Sequence, residues 1–114
     1  MSGRGERVPR PPSAGQWTLR FTARDVAVDW EKLCSTQPEA ARRAYDHLCN
    51  DPRSVSERNH RLKGSYASMS YKGRDLERWQ HEVTGSGRIW FLIDDEKRTV
   101  WLQEVHIGHP KQTE

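Results

Sequence analysis

Long apolar runs are missing from this sequence. No stretch approaches the roughly 18 apolar residues that carry a helix across a bilayer. The first residues lack the apolar core of a secretory signal, so neither a membrane span nor export is expected. Cysteine is scarce: Cys34 and Cys49 are the only two, and both fall in stretches with helical spacing. That excludes a disulfide framework and a cysteine zinc site. Two reduced, packed thiols and a cytoplasmic location are expected instead. Also absent are metal-ligand spacing, a phosphate-binding glycine loop and a serine-nucleophile elbow, so no metal or cofactor is expected. Gly85-Ser86-Gly87 lies between two strand-like runs and reads as a hairpin turn. Apolar residues in general are few, 33% against 31% charged, with a mean hydropathy of -1.01.

What is there bounds the fold. A chain of 114 residues supports one core and not two. Five tryptophans, at 17, 30, 79, 90 and 101, make that core aromatic, since each ring can remove more than about 150 Å² from water. The net charge of +3 is unevenly spread. Residues 24–51 carry four Arg/Lys against six Asp/Glu, whereas residues 53–88 carry eight against four. Fourteen of the 19 basic residues are arginine, the planar fork that grips phosphate in bidentate fashion. An anionic partner meeting one basic face is one implication. A solvated surface of an arginine-rich protein is the other.

Residues 1–16 combine glycine and proline with Val8 as the one sizeable apolar side chain, so a flexible tail is expected. Its Arg4, Arg7 and Arg10 would add loose electrostatic attraction. Trp17 to Phe21 alternates like a half-buried strand. Thr22 and Asp25 form a capping pattern that starts a helix, with Ala27, Trp30, Leu33 and Cys34 on one face. Thr36, Pro38 and Glu39 open a second helix. Ala41, Ala44, Tyr45, Leu48 and Cys49 are its stripe, and Asn50-Asp51-Pro52 its stop. Residues 53–73 read as a long basic loop with turns at Leu62-Lys63-Gly64 and Tyr71-Lys72-Gly73. Three strands follow, Leu76–Val83, Arg88–Ile93 and Arg98–Ile107, as an antiparallel meander.

The predicted class is therefore α+β: strand, helix hairpin and meander in one sheet, helices on one face, over residues 17–114. The other face is left as a working surface. Ile89, Phe91 and Ile93 point to the core, which turns Arg88 and Trp90 outward. For the preceding strand, alternation separates Arg78, Gln80 and Glu82 from Trp79, His81 and Val83. It does not say which set is exposed.

Cutting RNA without a metal requires a base for the 2′-hydroxyl, an acid for the leaving oxygen, and cations at phosphorus. Histidine suits the proton transfers, and arginine or lysine the charge. His109, after a glycine at the end of the last strand and beside Lys111, is the first proton-transfer candidate. A surface histidine near a chain end is its alternative. His81 and Glu82 are in reserve, a structural strand histidine being the commoner case. Arg88 stands where a phosphate-gripping fork would, or closes a surface ion pair. Lys63 and Arg78 are candidates for the RNA backbone.

Taken as a string, residues 17–111 resemble the RelE/ParE toxin superfamily. The resemblance rests on the element order, Asp51-Pro52, Leu62-Lys63-Gly64, Arg88-Ile89-Trp90-Phe91-Leu92-Ile93-Asp94 and Gly108-His109-Pro110-Lys111. It implies the toxin of a type II toxin–antitoxin pair, a ribosome-dependent mRNA endonuclease held in check by a cognate antitoxin. On that resemblance Arg88 stabilises the phosphate, His109 is the terminal histidine, and Glu82 or His81 stands near the acid–base position. Lys63, Arg78 and Lys111 would bind backbone. Pro110 departs from the family's terminal tyrosine, leaving Trp90 or Tyr71 as the aromatic platform. Two rivals share the fold: a gyrase-inhibiting, ParE-like toxin that cuts nothing, and an inactive binding module.

Overall fold

The computed structural model describes residues 4, 5, 8 and 15–108. Most of the expected tail, and the candidates His109 and Lys111, lie outside the described residues. The described chain runs β1 (Thr18–Phe21), α1 (Arg24–Thr36), α2 (Pro38–Asn50), β2 (Asn59–Arg61), a 3-10 turn (Gly64–Tyr66), β3 (Ser68–Tyr71), β4 (Arg74–Glu82), β5 (Arg88–Asp94) and β6 (Thr99–His106). The sheet order is β1-β6-β5-β4-β2, with β3 also on β4. β1 runs parallel to β6, and the other pairings are antiparallel.

The α+β class, the helix pair and the meander are as expected. The basic loop is not a loop: β2 and β3 use the same edge of β4 in succession, β2 against Trp79–His81 and β3 against Arg74–Glu77. These strands, three and four residues long, are too short and too polar to show alternation. The expected cap at Thr22 is not formed. The cap residue of α1 is Ala23, and the Thr22 hydroxyl donates instead to the carbonyl of Leu102. In α2, Pro38 occupies the first turn as expected, where its missing N–H costs nothing. Both cysteines are free thiols, Cys49 donating to the Trp17 carbonyl.

The main core lies between the helices and one face of the sheet. Leu33, Ala44 and Leu48 meet Trp79, Ile89, Phe91, Val100 and Leu102 there. Odd-numbered residues of β4 and β5 face these helices, so His81 and Val83 are buried with Trp79. Even-numbered residues, Arg78, Gln80 and Glu82 with Arg88 and Trp90, take the opposite face. That face is not wholly free: Leu76, Leu92 and Trp101 are buried under Met69 and Tyr71.

Polar groups lock the sheet at two places. Asp94, 0% exposed, accepts from both Arg74 guanidinium nitrogens at 2.8 and 2.5 Å, from the Trp101 indole at 3.2 Å and from the Lys97 backbone at 3.1 Å. The Arg74 hydrogen bond is the chief reason its carboxyl sits at about 2 instead of 3.8. Behind β4, the Asn59 amide donates to the carbonyls of Pro52 and Ser54. Its oxygen must then accept, so the His81 Nδ1 at 3.0 Å carries the proton. His81 stacks on His47 with centroids 4.6 Å apart.

These groups predict acid unfolding in two stages. Burial, then His47 and Arg58, holds His81 at about 4 against 6.5. His47 is lowered too, mainly by burial, with Asp51 and Asn59 opposing. A histidine depressed on folding contributes stability above its unfolded pKa, and that contribution is lost as pH falls from about 6.5 to about 4. His81 alone should account for about 3 kcal/mol across that window, read by urea unfolding at several pH values. His81→Gln, which keeps a donor to Asn59, should flatten most of this step. Asp94→Asn should cost about 2 to 3 kcal/mol at neutral pH and remove the stability loss of the wild type between about pH 4 and 2.

Candidate functional site

The open face divides along the strands. At one end Arg74 is bound to Asp94 and Glu96. Next comes the small cluster of Leu76, Leu92 and Trp101, with Lys72 lying over the Tyr71 and Trp101 rings. Beyond it, Arg78 lies over the Tyr66 and Trp90 rings. The row after that pairs His60 with Gln80, Gln80 with Trp90, and Trp90 with Glu104. The last row is Glu82, Arg88 and His106, each opposite the next across strands. Cross-strand neighbours of this kind hold their Cβ atoms about 5 Å apart.

A break in register builds that last row. Phe91 pairs with Leu102 but Trp90 pairs with Glu104, so Gln103 is an extra residue in β6. Such a bulge re-aims the side chains that follow. Val100 and Leu102 face the helices before it, and Val105 faces them after it. Glu104 and His106 are thereby turned to the open face, where their side chains meet at 2.8 Å. The pairing of β1 stops at Leu102, so β6 is an edge strand from there on. A cleft of about 590 Å³ opens at this corner, lined by Arg88, Trp90, Glu104, His106, Asp29 and Ser86 among others.

The turn before β5 closes the floor. Gly87 donates to the Thr84 hydroxyl at 2.9 Å. A Cβ at Gly87 would lie 3.0 and 3.1 Å from the carbonyls of Ile107 and His106, so glycine lets the end of β6 pass close to Arg88. Gly108, the residue before His109, also lines the cleft.

Of the residues singled out in the sequence, Arg88, Glu82, Trp90 and Arg78 share the open face. His81 does not: it is on the helix side, engaged with Asn59 and His47. Burial there lowers its pKa and keeps it neutral, and no face of the sheet brings it to Arg88. Lys63 is exposed at the approach to the 3-10 turn, away from the cleft lining. Tyr71 is packed on Trp101 with centroids 5.1 Å apart, so the exposed aromatic over this face is Tyr66 instead.

His106 escaped the sequence reading, although a signal for it exists. The apolar parity of Val100-x-Leu102 switches at Val105, which marks a bulge between them and moves His106 to the side of Arg88.

The basic segment is also less available than its count suggests. Arg53 is bound to Glu77 and Asp95, Arg61 lies 3.9 Å from Glu77, and Arg74 is tied to Asp94. Arg78 and Arg88 make no side-chain hydrogen bond or ion pair among the described residues, and neither does Glu82. What remains on this face is a balanced set of acid, imidazole and arginine, not a basic stripe. Among the described residues no three His, Cys, Asp or Glu side chains converge as a metal site, and no helix is long and apolar enough to cross a membrane.

No protein-family profile matches the sequence, and comparison with curated proteins finds no relative. Solved structures do match. The archaeal RelE–RelB complex from Pyrococcus horikoshii aligns with a TM-score of 0.58 at 11% identity, over 87% of this chain and 99% of that one. The YoeB/ParE toxin from Agrobacterium tumefaciens aligns at 0.59 and 16%, over 82% and 99%. The YoeB–YefM complex from Staphylococcus aureus aligns at 0.57 and 8%, again over 82% and 99%. At such identities the likeness is one of fold. The fold of this chain is that of these RelE and YoeB/ParE toxins.

Proposed function

We propose that this protein is the toxin of a toxin–antitoxin pair and a metal-independent endoribonuclease whose substrate is mRNA on the ribosome. The observation that carries the reading is the cross-strand row Glu82–Arg88–His106, of which Arg88 and His106 line the cleft, with Glu104 bonded to the imidazole. Glu82 takes the proton from the 2′-hydroxyl, the 2′-oxygen attacks the adjacent phosphorus, and the bond to the 5′-oxygen breaks. His106 protonates that leaving oxygen, and Glu104 orients its ring. Arg88, which pairs with no carboxylate among the described residues, balances charge on the phosphorus centre. The products are a 2′,3′-cyclic phosphate and a 5′-hydroxyl end. His106 thus takes the role the sequence put forward for His109, while His109 and Lys111 follow the cleft-lining Gly108 as backbone-binding groups. Lys63 serves the same purpose farther along the strand.

The partner proposed is a cognate antitoxin, as in the RelE–RelB and YoeB–YefM complexes of the structural neighbours. A second groove of about 220 Å³, lined by Leu19, Arg20, Phe21, Trp30, Tyr45 and Leu102, supports this. It leaves Phe21 and Tyr45 about two-fifths exposed and shares no lining residue with the cleft.

Induced expression followed by mapping of mRNA 5′ ends tests the reading. Wild-type protein should produce new ends and arrest growth. Arg88→Ala and His106→Ala should each lower cleavage by roughly 100-fold or more, with His109→Ala within a few-fold of wild type. Loss of cleavage in His109→Ala but not in His106→Ala would return the proton-transfer role to His109. Intact transcripts during arrest would reject a nuclease, and DNA-damage signals would then favour gyrase as target. Purified protein that cuts free and ribosome-bound mRNA equally would remove the ribosome from the proposal.

A further inference from the structure

Beside the cleft, the chain hangs an aromatic ring over the sheet for which the cutting chemistry has no use. Between β2 and β3 the backbone leaves the edge of β4 and rejoins it. Leu62 donates to the Arg78 carbonyl, and the Arg78 amide donates to the Ala67 carbonyl. The intervening 3-10 turn projects Tyr66 over the open face. Arg61 clamps this turn from the strand, donating to the Ala67 carbonyl and the Ser68 hydroxyl, both at 3.0 Å. Tyr66 is nonetheless 57% exposed, an unusual place for a ring on a rigid mount.

Under it, the Arg78 guanidinium lies 5.8 Å from the Tyr66 centroid and 5.4 Å from that of Trp90. The two rings are 5.9 Å apart at 60°, and the Trp90 indole is fixed by Gln80 at 2.8 Å. Rings hold the guanidinium by its faces and leave its N–H edge free. The Arg78 Nε is buried without a hydrogen-bond partner among the described residues, whereas Arg53 and Arg74 are tied to carboxylates. The terminal guanidinium nitrogens, which make no hydrogen bond or ion pair among the described residues, are the donors an anion would meet. An exposed ring beside an arginine with unused donors is the combination that single-stranded nucleic acids engage, base on ring and phosphate on cation.

We infer that Tyr66, Arg78 and Trp90 form a stacking platform for one unpaired nucleobase, with Arg78 holding that nucleotide's phosphate. The inference rests on the proposed nuclease reading for the identity of the polymer. Arg78 lies four residues along β4 from Glu82, about 13 Å, so the platform serves a nucleotide neighbouring the one that is cut. Stacking is tolerant of base identity, because every base has a π face. The platform therefore fixes the path of the strand more than its sequence.

The test is an NMR titration of the intact protein with a short 2′-O-methyl oligoribonucleotide, which lacks the attacking hydroxyl and stays uncut. The Trp90 indole and Arg78 Nε–H signals should move on binding. Tyr66→Ala should raise Kd about tenfold, and Tyr66→Phe, which keeps the ring, no more than about twofold. Arg78→Gln should weaken binding and make it less dependent on salt by about one phosphate contact. Tyr66 packs on the surface, so its variants should fold as wild type. Unchanged affinity in Tyr66→Ala, no binding by wild type, or equal movement of the same signals by an acidic peptide would each overturn the platform. A protein that binds through Tyr66 but cuts no RNA would sink the nuclease reading alone. One that cuts RNA while Tyr66→Ala binds unimpaired would sink the platform alone.

Discussion

One extra residue in β6 determines what the open face contains. A strand places alternate side chains on opposite faces, so an insertion of one residue exchanges the faces beyond it. Without Gln103 as the bulge, the parity set by Val100 and Leu102 would send Glu104 and His106 into the helix-side core. Val105, which belongs to that core, would point to solvent. Two charged or polar groups would be stranded among apolar side chains, and a valine would be left in water. The register shift between Trp90 and Phe91 is therefore enforced by burial. It is the hydrophobic preference of Val105 that delivers His106 to Arg88.

The same face shows how charge is divided between structure and chemistry. At the Arg74 end the arginines are tied to carboxylates, Arg74 to Asp94 and Glu96 and Arg53 to Glu77 and Asp95, and Asp94 gathers an arginine, an indole and a backbone amide. These bonds secure the sheet where β3 and the turn after β5 come together. At the Arg88 end the cross-strand neighbours Glu82 and Arg88 do not close an ion pair. Two long charged side chains gain little from pairing in solvent, but an arginine already occupied by carboxylates would have to surrender them to reach a phosphate. A gradient from satisfied to unsatisfied groups thus runs along β4 and β5, and the cleft lies at its unsatisfied end.

Much of this was legible in the sequence wherever burial is periodic. The helix stripes through Leu33 and Leu48, the turns at Gly73 and Gly87, and the inward set Ile89, Phe91 and Ile93 follow from spacing alone. Arg88 and Trp90 face outward by the same parity. Where burial is not periodic, spacing had nothing to report. β2 and β3 are recruited by the free edge of β4, a tertiary effect absent from Asn59–Arg61 as a string. The Thr22 cap failed because its hydroxyl found the Leu102 carbonyl across the sheet, a partner 80 residues away. His81 was drawn to the helix side by Trp79 and Val83, its strand neighbours of like parity. His106 required the parity switch at Val105 to be taken as a bulge.

Fold and function separate cleanly here. Structures sharing 8 to 16% identity with this chain keep the same arrangement over more than four-fifths of it, so packing tolerates nearly any surface on this frame. A protein that only grips a partner needs apolar area and a rim, which the groove around Phe21 and Tyr45 already provides. Nothing in that task calls for a carboxylate, an arginine and an imidazole in one cross-strand row, with no salt bridge among the described residues except that of His106 to Glu104. A row of that composition contributes little to stability, since its groups forgo the bonds that Arg74 and Asp94 make a few residues away. Acid–base chemistry of the kind proposed above needs such groups within reach of one another, and Arg88 and His106 of this row line the cleft.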